Sequence, residues 1–485
     1  MGKHSANAIW GGLFSGLKTS SGLISAIFAV KLLGSEDYGE IATVLAIFLL
    51  YLGLNNSIFS ILVAKIYALT PIEQDNKKLF SASLLLTIGS ICVLWTLTAV
   101  CSYFTPILFP NTPNAYTYLM LFIMTLLTSI QVLTGFFSAL IEGSGRLDLS
   151  LRRQTFGPLF ISFSLVTLYC IGFNISNYAY LVILVSGASV DLIAVHNLYQ
   201  KIYTSGIPFS CSIETFNNAS RLLKSGSLIQ AGTVMSIFLE PLNKLLLNSF
   251  SGPVLVTAYD LSMKLIWGIQ SLFAGGMRVF LHQADEDSLI VNRNYNHTIR
   301  IILVPVIASH ILAVLLLALL AHYWINVGSY LPIMQFFGLA TISNLGMIFV
   351  NPAYVSLISR GDYGFILRSQ TIVAVVNLVA SFLLIPSIGL IGSSIGLLLA
   401  TMINAILIYK RYSNLLGSSP NLSNVAIKIS VKLTFSIFLF LLSLRIGAFD
   451  VINFKLLSFV VFSVLLILKD EPIVSIFLSN PWKAR

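Results

Sequence analysis

FSASLLLTIGSICVLWTLTAVCSYF, residues 80–104, runs for 25 positions without a charged side chain. As an α-helix it would extend about 37 Å, longer than the ~30 Å of a bilayer's hydrocarbon core. A surface helix of a soluble domain needs a polar face, and this stretch has none. It therefore reads as a transmembrane helix, and its neighbours repeat the pattern.

Comparable stretches recur at 7–33, 41–64, 116–141, 156–176 and 178–200, giving six spans in the first 200 residues. Eight more fall near 222–249, 253–280, 299–322, 329–358, 365–387, 389–409, 427–447 and 451–468. The expectation is an all-α polytopic membrane protein of about 14 transmembrane helices, its least certain boundary lying within 365–409. Composition agrees: 56% of the 485 residues are apolar, 9% are charged and the mean hydropathy is +0.89. A protein in water draws on roughly a quarter charged residues, so lipid must cover this one. MGKHSANAIW enters its first apolar run without a small-residue cleavage site, so the first helix is expected to stay in the mature chain. Cys92, Cys101, Cys170 and Cys211 have neither paired nor metal-ligand spacing and are expected to be buried thiols.

Counting Lys and Arg in alternate connections orients the map, because positive charge is retained on the cytoplasmic side. Twenty-two of the 28 fall on one side, only Lys31, Arg445 and Lys455 on the other, and Lys18, Lys244 and Lys264 inside spans. Both termini are thereby placed in the cytoplasm. The net charge of +10 follows topology rather than a patch, which argues against a nucleic-acid partner. Connections are too short to fold alone, so function must lie among the helices.

Two matches suggest an internal repeat. Lys31-Leu32-Leu33-Gly34-Ser35 with Tyr38 returns as Lys244-Leu245-Leu246-Leu247-Asn248-Ser249 with Tyr259-Asp260, at an offset of 213. Leu140-Ile141-Glu142-Gly143-Ser144-Gly145-Arg146, ending in Arg153-Gln154-Thr155, returns as Leu357-Ile358-Ser359-Arg360-Gly361-Asp362, ending in Arg368-Ser369-Gln370-Thr371, at 216–217. This implies two parallel six-helix repeats around a central cavity, plus two extra C-terminal helices. The boundaries are an N-lobe at 1–200, a cytoplasmic linker at 201–220, a C-lobe at 221–412, and helices 13–14 with a tail at 413–485.

With Asn7-Ala8-Ile9-Trp10, Lys31-Leu32-Leu33-Gly34 followed by Tyr38-Gly39, the Leu140–Arg146 helix exit, and Glu240-Pro241-Leu242-Asn243-Lys244 followed by Ala258-Tyr259-Asp260-Leu261, most of the chain resembles the polysaccharide (O-antigen-type) flippases of the multidrug/oligosaccharidyl-lipid/polysaccharide exporter superfamily. The resemblance implies a bacterial inner-membrane protein of lipopolysaccharide or other surface-polysaccharide synthesis. It would move an undecaprenyl-pyrophosphate-linked oligosaccharide from the cytoplasmic to the periplasmic leaflet by alternating access. Its partners would be that substrate, membrane lipids, a polysaccharide polymerase and chain-length proteins.

A charge at mid-bilayer costs about 2.5–3.5 kcal/mol on insertion scales, so those inside spans should face protein or a wet cavity. Lys18 lies too deep in its span for easy snorkelling and is the leading candidate; a lysine that merely ties helices together is its structural alternative. Glu240 and Lys244, like Asp260 and Lys264, are spaced for salt bridges along one helix. The two helices are consecutive, so all four could also form one cluster at the lobe junction, beside a helix that Pro241 could unwind. The expectation has Lys18, Lys244 and Lys264 meeting an anionic substrate while Glu240 and Asp260 couple to H⁺ or Na⁺. Asp191 and His196 are five apart and off a common face, which disfavours a shared relay, and His310 reads as a core residue. No catalytic residue, metal site or cofactor is indicated. Drug or cation efflux on the same fold is the alternative. A membrane glycosyltransferase or polymerase using Glu36, Asp37 and Glu40 is weaker, because their link is too short to support a pocket.

Overall fold

The computed structural model describes residues 3–58, 73–108, 114–202 apart from 145, 214–220, 239–277 and 330–416, with residues 231, 235 and 309. Among these the regular structure is helical. A first group comprises α1 (Lys3–Leu33), α2 (Ser35–Ile58), α3 (Glu73–Leu108), α4 (Asn114–Gly143), α5 (Leu147–Arg153), α6 (Phe156–Ile171) and α7 (Asn177–Ile202). A second comprises α8 (Glu240–Ser251), α9 (Pro253–Met277), α10 (Tyr330–Ser359), α11 (Tyr363–Ile388) and α12 (Leu390–Leu416). Seven stretches among the described residues are long and apolar enough to cross a membrane, and the two halves of a bent α10 together make an eighth. The polytopic all-α expectation therefore holds. The spans placed at 299–322, 427–447 and 451–468, and most of 222–249, lie outside the described residues, as does His310.

The uncertain 365–409 segment forms two helices of 26 and 27 residues, separated at Gly389. The expected span at 156–176 is divided differently. Pro158 has no N–H to offer the Gln154 carbonyl, so the helix breaks at Gln154–Thr155 into α5 and α6. α6 then stops at Ile171 because Gly172, at φ +75°, turns its N–H back onto the Leu168 and Tyr169 carbonyls. In α10, Pro352 likewise deprives the Ile348 carbonyl, and the axis bends 46° between Phe336–Ile348 and Val350–Ile358.

Left-handed glycines mark the repeat. Gly34 (φ +93°) separates α1 from α2 and Gly252 (φ +86°) separates α8 from α9, 218 positions apart (252 − 34). Gly172 and Gly389 (φ +55°) end α6 and α11, 217 apart (389 − 172). The offset of 213 drawn from Lys31 and Lys244 is out of this register: Lys31 is exposed at the end of α1, whereas Lys244 is buried within α8. The offset of 216–217 drawn from the other match agrees with the helix ends.

In the first group α4 packs on α7 and α6 packs on α1 and α7; in the second α12 packs on α10 and α11. The groups meet where α1 and α2 lie along α9, with α8 also against α2. Outward faces carry large apolar side chains such as Phe163, 74% exposed, and Leu383, 67% exposed. Such a surface would aggregate in water and suits lipid. Cys92 and Cys170 belong to it. They are exposed rather than buried, on outward faces of α3 and α6 where Val93 and Ile171 beside them are exposed as well.

Candidate functional site

The four charges on α8 and α9 form one cluster where the two groups of helices meet. Lys244 Nζ lies 2.7 Å from Glu240 Oε1, one turn back on α8, and 2.6 Å from Asp260 Oδ1 on α9. Asp260 Oδ2 accepts Lys264 Nζ at 2.6 Å. The spacing pairs and the cross-helix cluster are thus both realised. Pro241 sits in the first turn of α8, where its missing N–H costs nothing. Whether the chain before Leu239 is unwound lies outside the described residues.

Tyr38, from the other group, completes the cluster. Its hydroxyl donates to Asp260 Oδ2 at 2.6 Å and accepts from Lys264 Nζ at 2.5 Å, while that ammonium also stands 5.3 Å from its ring centroid. Tyr38 was singled out in the sequence only as part of a motif; its contact 222 residues away had no local signature. The approach is close because Gly39 has no side chain: a Cβ there would lie 2.0 Å from the Pro253 carbonyl oxygen. Thr257 donates to the Ser35 carbonyl at 2.5 Å, and Thr19 shares a hydrogen bond with Ser271 at 2.8 Å. Two acids balance two lysines here. Lys244 is 2% exposed, so in this conformation it has no open face for a substrate; the Lys264 side chain is 36% exposed.

Lys18 sits apart from this cluster, in the first group. Its Nζ donates to Gln154 Oε1 at 2.9 Å, at the break between α5 and α6. Asp191 on α7 accepts the Gly157 N–H at 2.6 Å, placing a carboxylate at the N-terminus of α6, where the helix dipole favours negative charge. Lys18 is close enough to Asp191 to interact with it electrostatically. This depends on tight packing: a Cβ on Gly157 would meet the Gly187 carbonyl oxygen at 2.4 Å and Asp191 Oδ2 at 2.6 Å. Ser162 ties α6 to α1 by donating to the Ser21 carbonyl at 2.6 Å. His196 instead approaches Gln200 at 2.9 Å and the Phe137 ring, so it forms no relay with Asp191. Glu36, Asp37 and Glu40 occupy the first turns of α2. Among the described residues no group of His, Cys, Asp and Glu is arranged to hold a metal ion.

The sequence matches no family model and no curated protein. Solved structures do match in fold. Lipid II flippase MurJ in an inward closed conformation superposes with a TM-score of 0.61 at 16% identity, over 96% of this chain and 98% of that one. An inward-facing multidrug resistance MATE family transporter of the MOP superfamily gives 0.60 at 15% identity, over 83% and 96%. A MOP superfamily transporter from Pyrococcus furiosus Vc1, described by the reversed polarity of its binding pocket, gives 0.57 at 13%, over 86% and 96%. This chain has the fold shared by these MOP-superfamily transporters.

Proposed function

We propose that this protein is a transporter, not an enzyme, and that it flips an undecaprenyl-pyrophosphate-linked oligosaccharide from the cytoplasmic to the periplasmic leaflet by alternating access. The observation that carries this reading is Lys18, a cation deep in α1 whose ammonium donates to the Gln154 amide at a helix break, within electrostatic reach of Asp191. A phosphate oxygen offers that ammonium a stronger, charge-assisted bond than the amide does. The fold's resemblance to a lipid II flippase supports a lipid-linked substrate.

In this account residues 1–200 and 221–412 are the rocking lobes, 201–220 links them, and 413–485 carries helices 13 and 14 and a tail. The charge asymmetry supports cytoplasmic termini; in a bacterial inner membrane the α1–α2 and α8–α9 turns would then face the periplasm. The Tyr38–Asp260 junction then closes the outer end, and opening outward requires its rupture. Lys264, partly exposed, is the second lysine able to meet the pyrophosphate; Lys244 becomes available only after the junction parts. H⁺ or Na⁺ at Glu240 or Asp260 would compete with those lysines for the carboxylates and so favour lobe separation. A surface-polysaccharide polymerase and chain-length proteins would take the product onward.

Asp191 favours a second reading, ion-coupled drug or cation efflux, since it supplies an acid in the first lobe. The test is complementation of a bacterium lacking its lipid-linked oligosaccharide flippase. Wild type should restore surface polysaccharide, and Lys18→Ala at equal protein level should not. Failure of wild type to complement would count against the flippase reading, and complementation by Lys18→Ala would remove Lys18 from the mechanism.

A further inference from the structure

Helices of the second lobe line a partly open cavity of about 200 Å³. Gln270, Asn351, Tyr354, Gln370, Thr401 and Asn404 supply its polar lining, from α9, α10, α11 and α12. None of the described residues lining it is charged.

The repeat register connects this cavity to the lysine site of the first lobe. Gln370 stands 216 positions after Gln154 (370 − 154), in the matching Arg-x-Gln-Thr context that the sequence already showed. In the first lobe Gln154 receives Lys18. In the second, position 236, which is 218 after Lys18, is a serine, and position 408, which is 217 after Asp191, is an isoleucine. At the matching sequence positions the first lobe carries charges and the second carries none.

Gln370 is 5% exposed, lines the cavity, and makes no hydrogen bond to a described residue. Gln270, Asn351 and Tyr354 likewise have none, whereas Asn404 is held by Ser369 at 2.8 Å and Thr401 by Ser343 at 2.7 Å. Each carboxamide presents both donors and an acceptor to the cavity. Three carboxamides and a phenol on one wall match a ligand rich in hydroxyls or amides, which can exchange hydrogen bonds with each of them. An anion would be desolvated without a cation, and an apolar molecule would leave the amides unpaired.

We propose that this second-lobe cavity is a sugar subsite, which takes a neutral glycosyl residue of the substrate while the Lys18 side takes the phosphates. It rests on the flippase reading above and deepens it by dividing the substrate between the lobes. Tyr354 adds an aromatic surface for the apolar edge of a pyranose ring.

The test uses full-length protein in nanodiscs and calorimetric titration with inorganic pyrophosphate and with the methyl glycosides of glucose, galactose, mannose and N-acetylglucosamine. At least one glycoside should bind wild type. Gln370→Ala and Asn351→Ala, each judged by an unchanged elution profile and unfolding temperature, should weaken it at least fivefold and move pyrophosphate less than twofold. If Gln370→Ala does not fold, Gln270→Ala takes its place beside Asn351→Ala. The proposal is overturned if no glycoside binds wild type, or if the folded variants bind them as wild type does. Pyrophosphate binding that ignores Lys18→Ala would instead refute the phosphate half of the account while leaving the sugar subsite standing.

Discussion

The Tyr38 hydroxyl donates to Asp260 Oδ2 across the lobe junction at 2.6 Å, on an oxygen that Lys264 also holds. Removing that hydroxyl leaves the carboxylate two lysines, so the cost is that of one buried hydrogen bond to a charged group, about 1.5–3 kcal/mol. Tyr38→Phe should therefore raise the ratio of separated to joined outer ends by roughly ten- to a hundredfold. Spin-label distances between the α1–α2 and α8–α9 turns would show the longer population growing. An unchanged distribution would mean the bond does not hold the junction.

Asp260→Asn should be far more damaging. It leaves Lys244, 2% exposed, with Glu240 alone and Lys264 without its carboxylate, and loss of one partner in a buried ion pair costs about 3–5 kcal/mol. Denaturant titration of the purified protein should show a loss of that order, larger than that of Tyr38→Phe. Arg411 and Asp362, 2.8 Å apart and partly exposed, form the contrasting pair: Arg411→Gln should cost less than about 1 kcal/mol.

Gly157→Ala inserts a methyl group where the Gly187 carbonyl and the Asp191 carboxylate already stand. Overpacking of this kind costs about 1–3 kcal/mol, and here it also drives Asp191 from the α6 N-terminus. Transport should fall together with thermal stability, and Asp191→Asn, which keeps the shape, should separate the two effects by lowering transport alone. Equal loss of stability in both variants would show that Asp191 serves only packing.

Much of this architecture was legible in the sequence because a membrane imposes a simple code. Uncharged stretches such as 80–104 have no soluble alternative. The Glu240, Lys244, Asp260 and Lys264 cluster was legible too, since equal distances from the turn at Gly252 put the charges of α8 and α9 at similar depth. What the sequence concealed is contact between distant segments. Tyr38 reaching Asp260, and Asp191 capping α6 beside Lys18, depend on helix packing that periodicity cannot reveal. The break at Gln154 had a local sign in Pro158, but a proline within an apolar run does not distinguish a kink from an end. The cavity around Gln370 left one trace, the repeated Arg-x-Gln-Thr, whose importance emerges only when its first-lobe copy is seen holding a lysine.

The central claim is that Lys18 receives the phosphates of a lipid-linked oligosaccharide during its passage across the membrane. It is tested most directly in proteoliposomes that carry undecaprenyl-pyrophosphate-linked oligosaccharide, by following exposure of the sugar to a membrane-impermeant lectin. Losing a charge-assisted bond of about 1.5–3 kcal/mol should slow Lys18→Ala at least tenfold relative to wild type, with Lys18→Arg retaining part of the rate. Transport by Lys18→Ala at the wild-type rate would contradict the account.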